Sequence, residues 1–280
     1  MSDQNPLPLE KMAEIRDDLR QSFRNAKPFP HIVVDNFFDE QLLERILEVF
    51  PASGDPMWKR FDEDRQIKLA SSHDEEIPVL IRSFLYFLNS ATFVEWLEDV
   101  TGIDGLMPDP WFDGGGLHQI LPGGKLAIHV DFNKQKRFNL DRRLNVLLYL
   151  NKSWQEAYGG ACEFWNKDMT VCEKKILPIF GRLVVFETTD TSWHGHPDPL
   201  TCPEGVSRKS LALYYFTMGR PELEKGPTHT TIFRPRPHER GALSSRLRAI
   251  VKDWLPPVVM RALSKMRTGR QSTVTDTEPE

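Results

Sequence analysis

The sequence predicts a mainly β chain with flanking helices, α+β in class, in which a helical front half feeds an all-β sandwich or double-stranded barrel. Three observations carry this. Apolar residues recur at helical spacing through much of the first hundred residues. From Gly114-Gly115-Gly116 to Gly219 the pattern changes to short apolar or alternating runs broken by Gly, Pro, Asn and Asp. Residues 231–270 are strongly basic. The expected organisation is a helical support region with one strand over 1–109, a β core over 110–220 and a basic C-terminal extension over 221–280. The last ten residues are expected to be disordered.

Each element has its own warrant. Met12, Ile15, Leu19 and Phe23 mark an amphipathic helix over about residues 9–25, ended by Pro28 and Pro30. Residues 31–38 read as a strand. Asp39 is a good N-cap for a helix that places Leu42, Leu43, Ile46, Leu47 and Phe50 on one face and stops at Pro51. Residues 52–75 read as polar and irregular. Helical patterns follow over 77–88 and 90–100. Strands are then expected over 117–121, 125–131, 143–151, 161–166, 182–187, 192–196 and 209–217. In the extension, residues 246–267 suggest two short basic helices broken at Pro256-Pro257.

Composition narrows the function classes. The chain has 280 residues and a formal charge of -4, so a nucleic-acid partner is not expected. That total hides an asymmetry, because residues 231–270 carry ten Lys/Arg against only Glu239 and Asp253. An apolar stripe of Leu243, Leu247, Ile250, Val251, Trp254 and Leu255 runs beside this charge. A helix packed on the core or a dimer contact is the plainer expectation for it. Peripheral contact with a membrane surface or an acidic partner is the other. Three cysteines, Cys162, Cys172 and Cys202, make no disulfide framework in a chain this long. The first ten residues have no apolar core of a secretory signal, and no run approaches a membrane span. A soluble, reducing, cytoplasmic setting is the expectation.

The residues that carry chemistry are His129-Val130-Asp131 and, far downstream, Ser192-Trp193-His194-Gly195-His196 followed by Arg208-Lys209-Ser210. On a strand, residues 129 and 131 point to one face while Val130 points to the other. Two histidines and one carboxylate can occupy one face of an octahedral metal and leave other positions open, the facial triad of non-haem Fe(II) oxygenases. Either His194 or His196 can supply the second histidine, since both share one face. A lone His-x-Asp occurs by chance in many chains, and a capping pair at a strand end is the bland alternative. Arg208 opens a run of apolar and aromatic residues, Leu211 to Phe216, which favours a buried arginine with an anionic partner.

The order Gly123-Gly124, His129-Val-Asp131, Leu147-Leu-Tyr149-Leu-Asn-Lys-Ser-Trp154, Gly159-Gly160, Gly181-Arg-Leu-Val-Val-Phe186, Ser192-Trp-His194-Gly-His-Pro197 and Arg208 to Thr217 resembles the prolyl-4-hydroxylase-like branch of Fe(II)/2-oxoglutarate-dependent dioxygenases. The likeness covers roughly residues 110–218, with a weaker one over 30–51. It implies a double-stranded β-helix, jelly-roll or cupin-like, as the core. It also implies Fe(II) bound by His129, Asp131 and His194, with His196 as the competing third ligand. The ligand frame favours His194, but the gap to Arg208 is longer than usual, and Pro197 to Pro203 reads as an insertion. Arg208 and Tyr149 would bind the distal carboxylate of 2-oxoglutarate, and Cys162 would be a small apolar wall of that pocket. O2 is the other co-substrate, with ascorbate in support. Because halide-transferring relatives lack the carboxylate, Asp131 points to hydroxylation, with release of succinate and CO2.

The substrate is expected to be a prolyl residue or free proline, or else a small metabolite or sugar-containing molecule. Gln119, Lys125, Asn133 and Arg137 are expected near the mouth. Two alternatives stand beside this reading. A cupin-like zinc hydrolase or isomerase would use the same ligands but gives no reason for Arg208 with Tyr149. A non-catalytic barrel acting as a binding module would be expected to have lost a ligand or the arginine.

Overall fold

A computed structural model describes residues 5–71 and 73–239. Residues up to 234 form one compact unit, and those from 235 onward belong to a second. The two basic helices expected over 246–267 and the last ten residues lie outside the described part.

The front of the chain runs α1 (Leu9–Asn25), β1 (His31–Val34), α2 (Glu40–Glu48), β2 (Trp58–Glu63), β3 (Gln66–Ser71), α3 (Val79–Leu88) and α4 (Ala91–Thr101). Then come β4 (Met107–Pro108), β5 (Gly116–Ile120), β6 (Lys125–Val130), β7 (Lys134–Gln135), β8 (Leu140–Tyr149) and β9 (Cys162–Trp165). The described chain ends with β10 (Cys172–Ile176), β11 (Leu183–Glu187), β12 (His194–His196), β13 (Arg208–Thr217) and β14 (Ile232–Phe233). Asp39 caps α2 as expected, its Oδ1 accepting from the Leu42 N–H at 2.8 Å. Gly102 ends α4 at φ 71, the left-handed conformation that favours glycine at a helix end.

All strand pairings are antiparallel, in the order β1-β11-β8-β13-β5-β3-β6-β12-β9-β10. The sheet curls so that its two ends meet. Phe186 of β11 packs on Phe164 of β9, with ring centroids 5.2 Å apart, and on His194 of β12 at 4.7 Å. This is the double-stranded β-helix expected.

Alternation along the strands builds two cores. Leu144, Val146 and Leu148 of β8, Leu183 and Val185 of β11, and Leu211, Leu213 and Tyr215 of β13 pack with Phe37, Ile46, Phe84, Phe93 and Leu97 in the cluster shared with the helices. The alternate residues Tyr149, Val184 and Phe186 instead join Phe29, Cys162 and Phe164 inside the curl. The Tyr215 hydroxyl ties the layers by donating to the Leu88 carbonyl at 2.7 Å.

Four expectations need correction. Residues 52–75 are not irregular, since β2 and β3 form a hairpin that β3 joins to both β5 and β6. The polar character misleads because β2 is largely exposed on both faces. The strand expected over 31–38 stops at Val34, and Asn36 turns the chain at φ 54. Residues 172–176 add a strand, β10, whose side chains are mostly exposed and give no apolar signal. Beyond 221, Ile232 and Phe233 return to the sheet and pair with Val130 and His129.

Candidate functional site

His129 of β6 and His194 of β12 are direct cross-strand partners. Asp131 follows the end of β6. One ligand atom from each of the three lies within 4.8 Å of the others, the single such cluster found among the described residues. His129 Nε2 is 3.6 Å from Asp131 Oδ1, and His194 Nε2 is 3.5 Å from Asp131 Oδ2. Each histidine Nδ1 donates to the carbonyl two residues back, His129 to Ala127 and His194 to Ser192, both at 2.9 Å. A proton fixed on Nδ1 leaves Nε2 as a lone pair, the arrangement that metal-ligating histidines use. The residues present therefore fit a divalent metal.

Asp131 is anchored through Oδ2, the oxygen that also faces His194. Its Oδ2 accepts from Asn145 Nδ2 at 2.8 Å and lies 3.1 Å from an Arg142 guanidinium nitrogen. Burial alone pushes the Asp131 carboxyl up, but Arg142 and then the two histidines outweigh it and hold it well below the usual carboxylate range. Arg142 in turn donates twice to Asn145 Oδ1, at 3.0 and 2.7 Å, and stacks 3.5 Å over the Tyr214 ring. A β-bulge aims it there. Leu144 pairs with Tyr215 and Arg142 with Phe216, so Arg143 is the extra residue that returns Arg142 to the face shared with Asn145.

His196 stands apart from the cluster. The register shifts after His194, which places His196 opposite Leu126. Gly195 makes the shift possible, because a Cβ there would lie 2.8 Å from both the Leu126 and Ala127 carbonyl oxygens. Both His196 nitrogens are buried without a hydrogen-bond partner, and burial with the nearby Arg208 charge holds the ring neutral. The structure groups His194, and not His196, with His129 and Asp131.

Arg208 is buried at 5 % exposure and shares the same cavity of about 120 Å³. Its Nε donates to the Gly160 carbonyl at 2.8 Å and a terminal nitrogen to the Tyr149 hydroxyl at 3.2 Å. No carboxylate pairs with it among the described residues. A buried guanidinium without an acid suits an anionic ligand, which it can bind by two parallel bonds. Gly160 gives it room: at φ +71, a Cβ would meet Leu200 at 2.7 Å and Arg208 Cδ at 3.0 Å. Tyr149 lies behind Arg208 and does not line the cavity. Cys162 lines it, its thiol pushed up to about 11 mainly by burial. Lys209 faces the other way, with Nζ on Ser207 Oγ at 2.9 Å.

The four residues expected near the mouth do not line the cavity. Gln119 points to the opposite face and donates to Ser207. Asn133 instead holds the returning chain, donating to the Pro227 carbonyl at 2.9 Å and accepting from the His229 N–H at 3.0 Å. Arg137 stacks on Trp111, 4.2 Å from the ring centroid. The lining that sequence reasoning missed includes Gln66 and Lys68 of β3, His118 of β5, Asn145 of β8, and Thr231 and Phe233. The signal for the first two was the alternation of Gln66-Ile67-Lys68-Leu69. A larger cavity, about 490 Å³, adjoins Phe23, Thr101, Arg143 and Glu187, on residues that carry none of this cluster.

A curled double-stranded β-helix with two histidines and a carboxylate inside it defines the class of cupin-like non-haem metal proteins. Residues 115–216 match the family model described as the 2OG-Fe(II) oxygenase superfamily. The chain is 26% identical over 243 residues to the mouse protein named prolyl 3-hydroxylase OGFOD1, covering 83% of this chain and 40% of that one. The chain thus spans under half the length of that curated relative. A prolyl hydroxylase of Trichoplax adhaerens, solved with a hypoxia-inducible-factor peptide, superposes with a TM-score of 0.55 at 17% identity, over 76% of this chain and 94% of its own. A Pseudomonas putida prolyl-4-hydroxylase gives 0.51 at 17%, over 71% and 98%. The two structures support the fold. No described helix is long and apolar enough to cross a membrane.

Proposed function

We propose that this chain is an Fe(II)- and 2-oxoglutarate-dependent hydroxylase acting on an unactivated C–H bond, with a prolyl residue or free proline as its substrate. The observation that carries the reading is the sharing of one cavity by the His129, Asp131 and His194 cluster and by a buried Arg208 that lacks an acidic partner. His129, Asp131 and His194 would hold the iron, and Arg208, positioned by the Tyr149 hydroxyl behind it, would hold the distal carboxylate of 2-oxoglutarate. When bound, the iron and co-substrate supply the oxidising chemistry, with one oxygen atom of O2 passing to substrate and the other to succinate as CO2 leaves.

The chain's own residues do the rest. Arg142 and Asn145 fix the Asp131 carboxylate, and the two backbone carbonyls fix the histidine tautomers. Ile120, Leu147 and Phe233 line the cavity and would limit water around a bound metal. The prolyl substrate is supported by the name of the mouse relative. The cysteines are free thiols, which suits a reducing, cytoplasmic setting.

The test mixes purified protein with Fe(II), ascorbate, 2-oxoglutarate and a pool of prolyl peptides and free proline, and measures succinate. Succinate that appears with the wild type and disappears in His129→Ala supports the reading. Absence of succinate with every substrate pool, together with tight zinc binding, overturns it.

A further inference from the structure

A cation other than the proposed co-substrate arginine faces the cavity. Lys68 lies on β3, two residues from Gln66, and both line the cavity. Its ammonium sits 5.3 Å from the centroid of the Phe61 ring, directly across the hairpin, where Lys59 also approaches at 5.0 Å. Among the described residues Lys68 Nζ makes no hydrogen bond and no ion pair. Burial lowers the ammonium pKa, Asp131 opposes that and Arg142 adds to it. His118 and His196 feel both Lys68 and Arg208, and Arg208 is held by Gly160 and Tyr149.

Charge in the cavity does not balance. Asp131 is the one carboxylate among the lining residues. On the hydroxylase reading it faces a divalent metal as well as Arg142, and the two carboxylates of 2-oxoglutarate are taken by the metal and Arg208. Positive charge remains in excess, and Lys68 is the cation left with no acid. A half-buried charge without a partner is costly, and a ligand anion removes that cost. Gln66 and Thr231 line the same cavity and bring neutral polar groups suited to the rest of such a ligand.

We propose that Lys68 is the anchor for the prime substrate, and that the molecule oxidised carries a carboxylate or phosphate that pairs with Lys68 while its reacting C–H faces the metal. This rests on the hydroxylase reading above. It narrows the substrate to free proline, or to a prolyl peptide with an acidic group close to the reacting carbon.

The test uses full-length protein loaded with Mn(II) and 2-oxoglutarate, so that Arg208 is already occupied. Carbon-13-labelled acetate and inorganic phosphate are titrated separately, and their NMR lines are followed for paramagnetic broadening, which reports an anion near the metal. The wild type should broaden one of the two strongly, which also tells carboxylate from phosphate. Lys68→Met should reduce that broadening at least about fivefold and Lys68→Arg should keep most of it, as expected for a charge-assisted bond. Equal broadening in wild type and Lys68→Met means an adventitious ion only, and overturns the inference, as does no broadening in the wild type. A roughly tenfold weaker 2-oxoglutarate affinity in Lys68→Met would assign the lysine to the co-substrate and overturn it too. Succinate formed by the Fe(II)-loaded wild type without added substrate reports separately on the hydroxylase reading, so failure of one is distinguishable from failure of the other.

Discussion

His129 and His194 stand directly opposite each other on antiparallel strands, ring centroids 4.4 Å apart, and each is held by the same bond from Nδ1 to the carbonyl two residues back. The backbone of each strand therefore sets the tautomer of its own histidine. In both, the Nδ1 bond runs to backbone and not to a side chain. The pair is a preformed two-nitrogen clamp whose third arm is Asp131.

His194→Ala should abolish stoichiometric iron binding and all succinate formation. His196→Ala should keep iron at one equivalent, because His196 lies outside the cluster. Metal content after dialysis, read with a chelating dye, separates the two variants. Loss of iron in His196→Ala with retention in His194→Ala would reverse the ligand assignment.

Arg208→Lys keeps the charge but loses the planar fork and the bonds to Gly160 and Tyr149. Its apparent 2-oxoglutarate KM should rise by about tenfold or more, since a charge-assisted bond contributes roughly 1.5–3 kcal/mol. Tyr149→Phe removes only the hydroxyl behind the guanidinium and should have the smaller effect. Initial rates against 2-oxoglutarate concentration give both values, and a larger effect from Tyr149→Phe would place the tyrosine in direct contact with the co-substrate.

Much of this site is legible in the chain because it obeys simple alternation. His129 and Asp131 share a face, Arg208 and Lys209 point apart, and Asp39 caps its helix. Arg142 is not legible. Strict alternation along β8 would turn it toward the helices with Leu144 and Val146, and only the extra residue Arg143 turns it inward. Lys68 is hidden for a different reason. Its hairpin is short of apolar residues, because β2 is largely exposed and β3 finds its partners far away in the chain, Leu69 opposite Gln119 of β5 and Gln66 opposite Leu126 of β6. Gln119 fails as a mouth residue because its odd position on β5 sends it away from His118 and Ile120, which line the cavity.

Asn145→Leu removes the donor to Asp131 Oδ2 and the acceptor that holds Arg142. Outer groups of this kind are typically worth about 10–100-fold in metal affinity. Fe(II) or Mn(II) affinity should fall by that amount while the 2-oxoglutarate requirement, measured at saturating metal, stays near the wild-type value. Calorimetric titration of metal into wild type and variant checks it. An unchanged metal affinity would mean that the histidines alone orient the site.

The thiols give a test of the interior that needs no turnover. Burial pushes Cys162 up to about 11, with Arg208 opposing it, and Cys202 is raised by burial as well. Cys172 is raised too, but it is half-buried and accessible at the sheet edge. A raised pKa means less thiolate at a given pH, and the thiolate is the reactive form. At pH 8, iodoacetamide should therefore label Cys172 first and leave Cys162 protected, and the labelling rate of Cys162 should climb as the pH rises toward 11. Peptide mass spectrometry over a pH series reads each site. Fast labelling of Cys162 at pH 8 would show that the floor beside Arg208 is open to solvent, and would remove the low-dielectric setting on which the carboxylate-binding role of Arg208 depends.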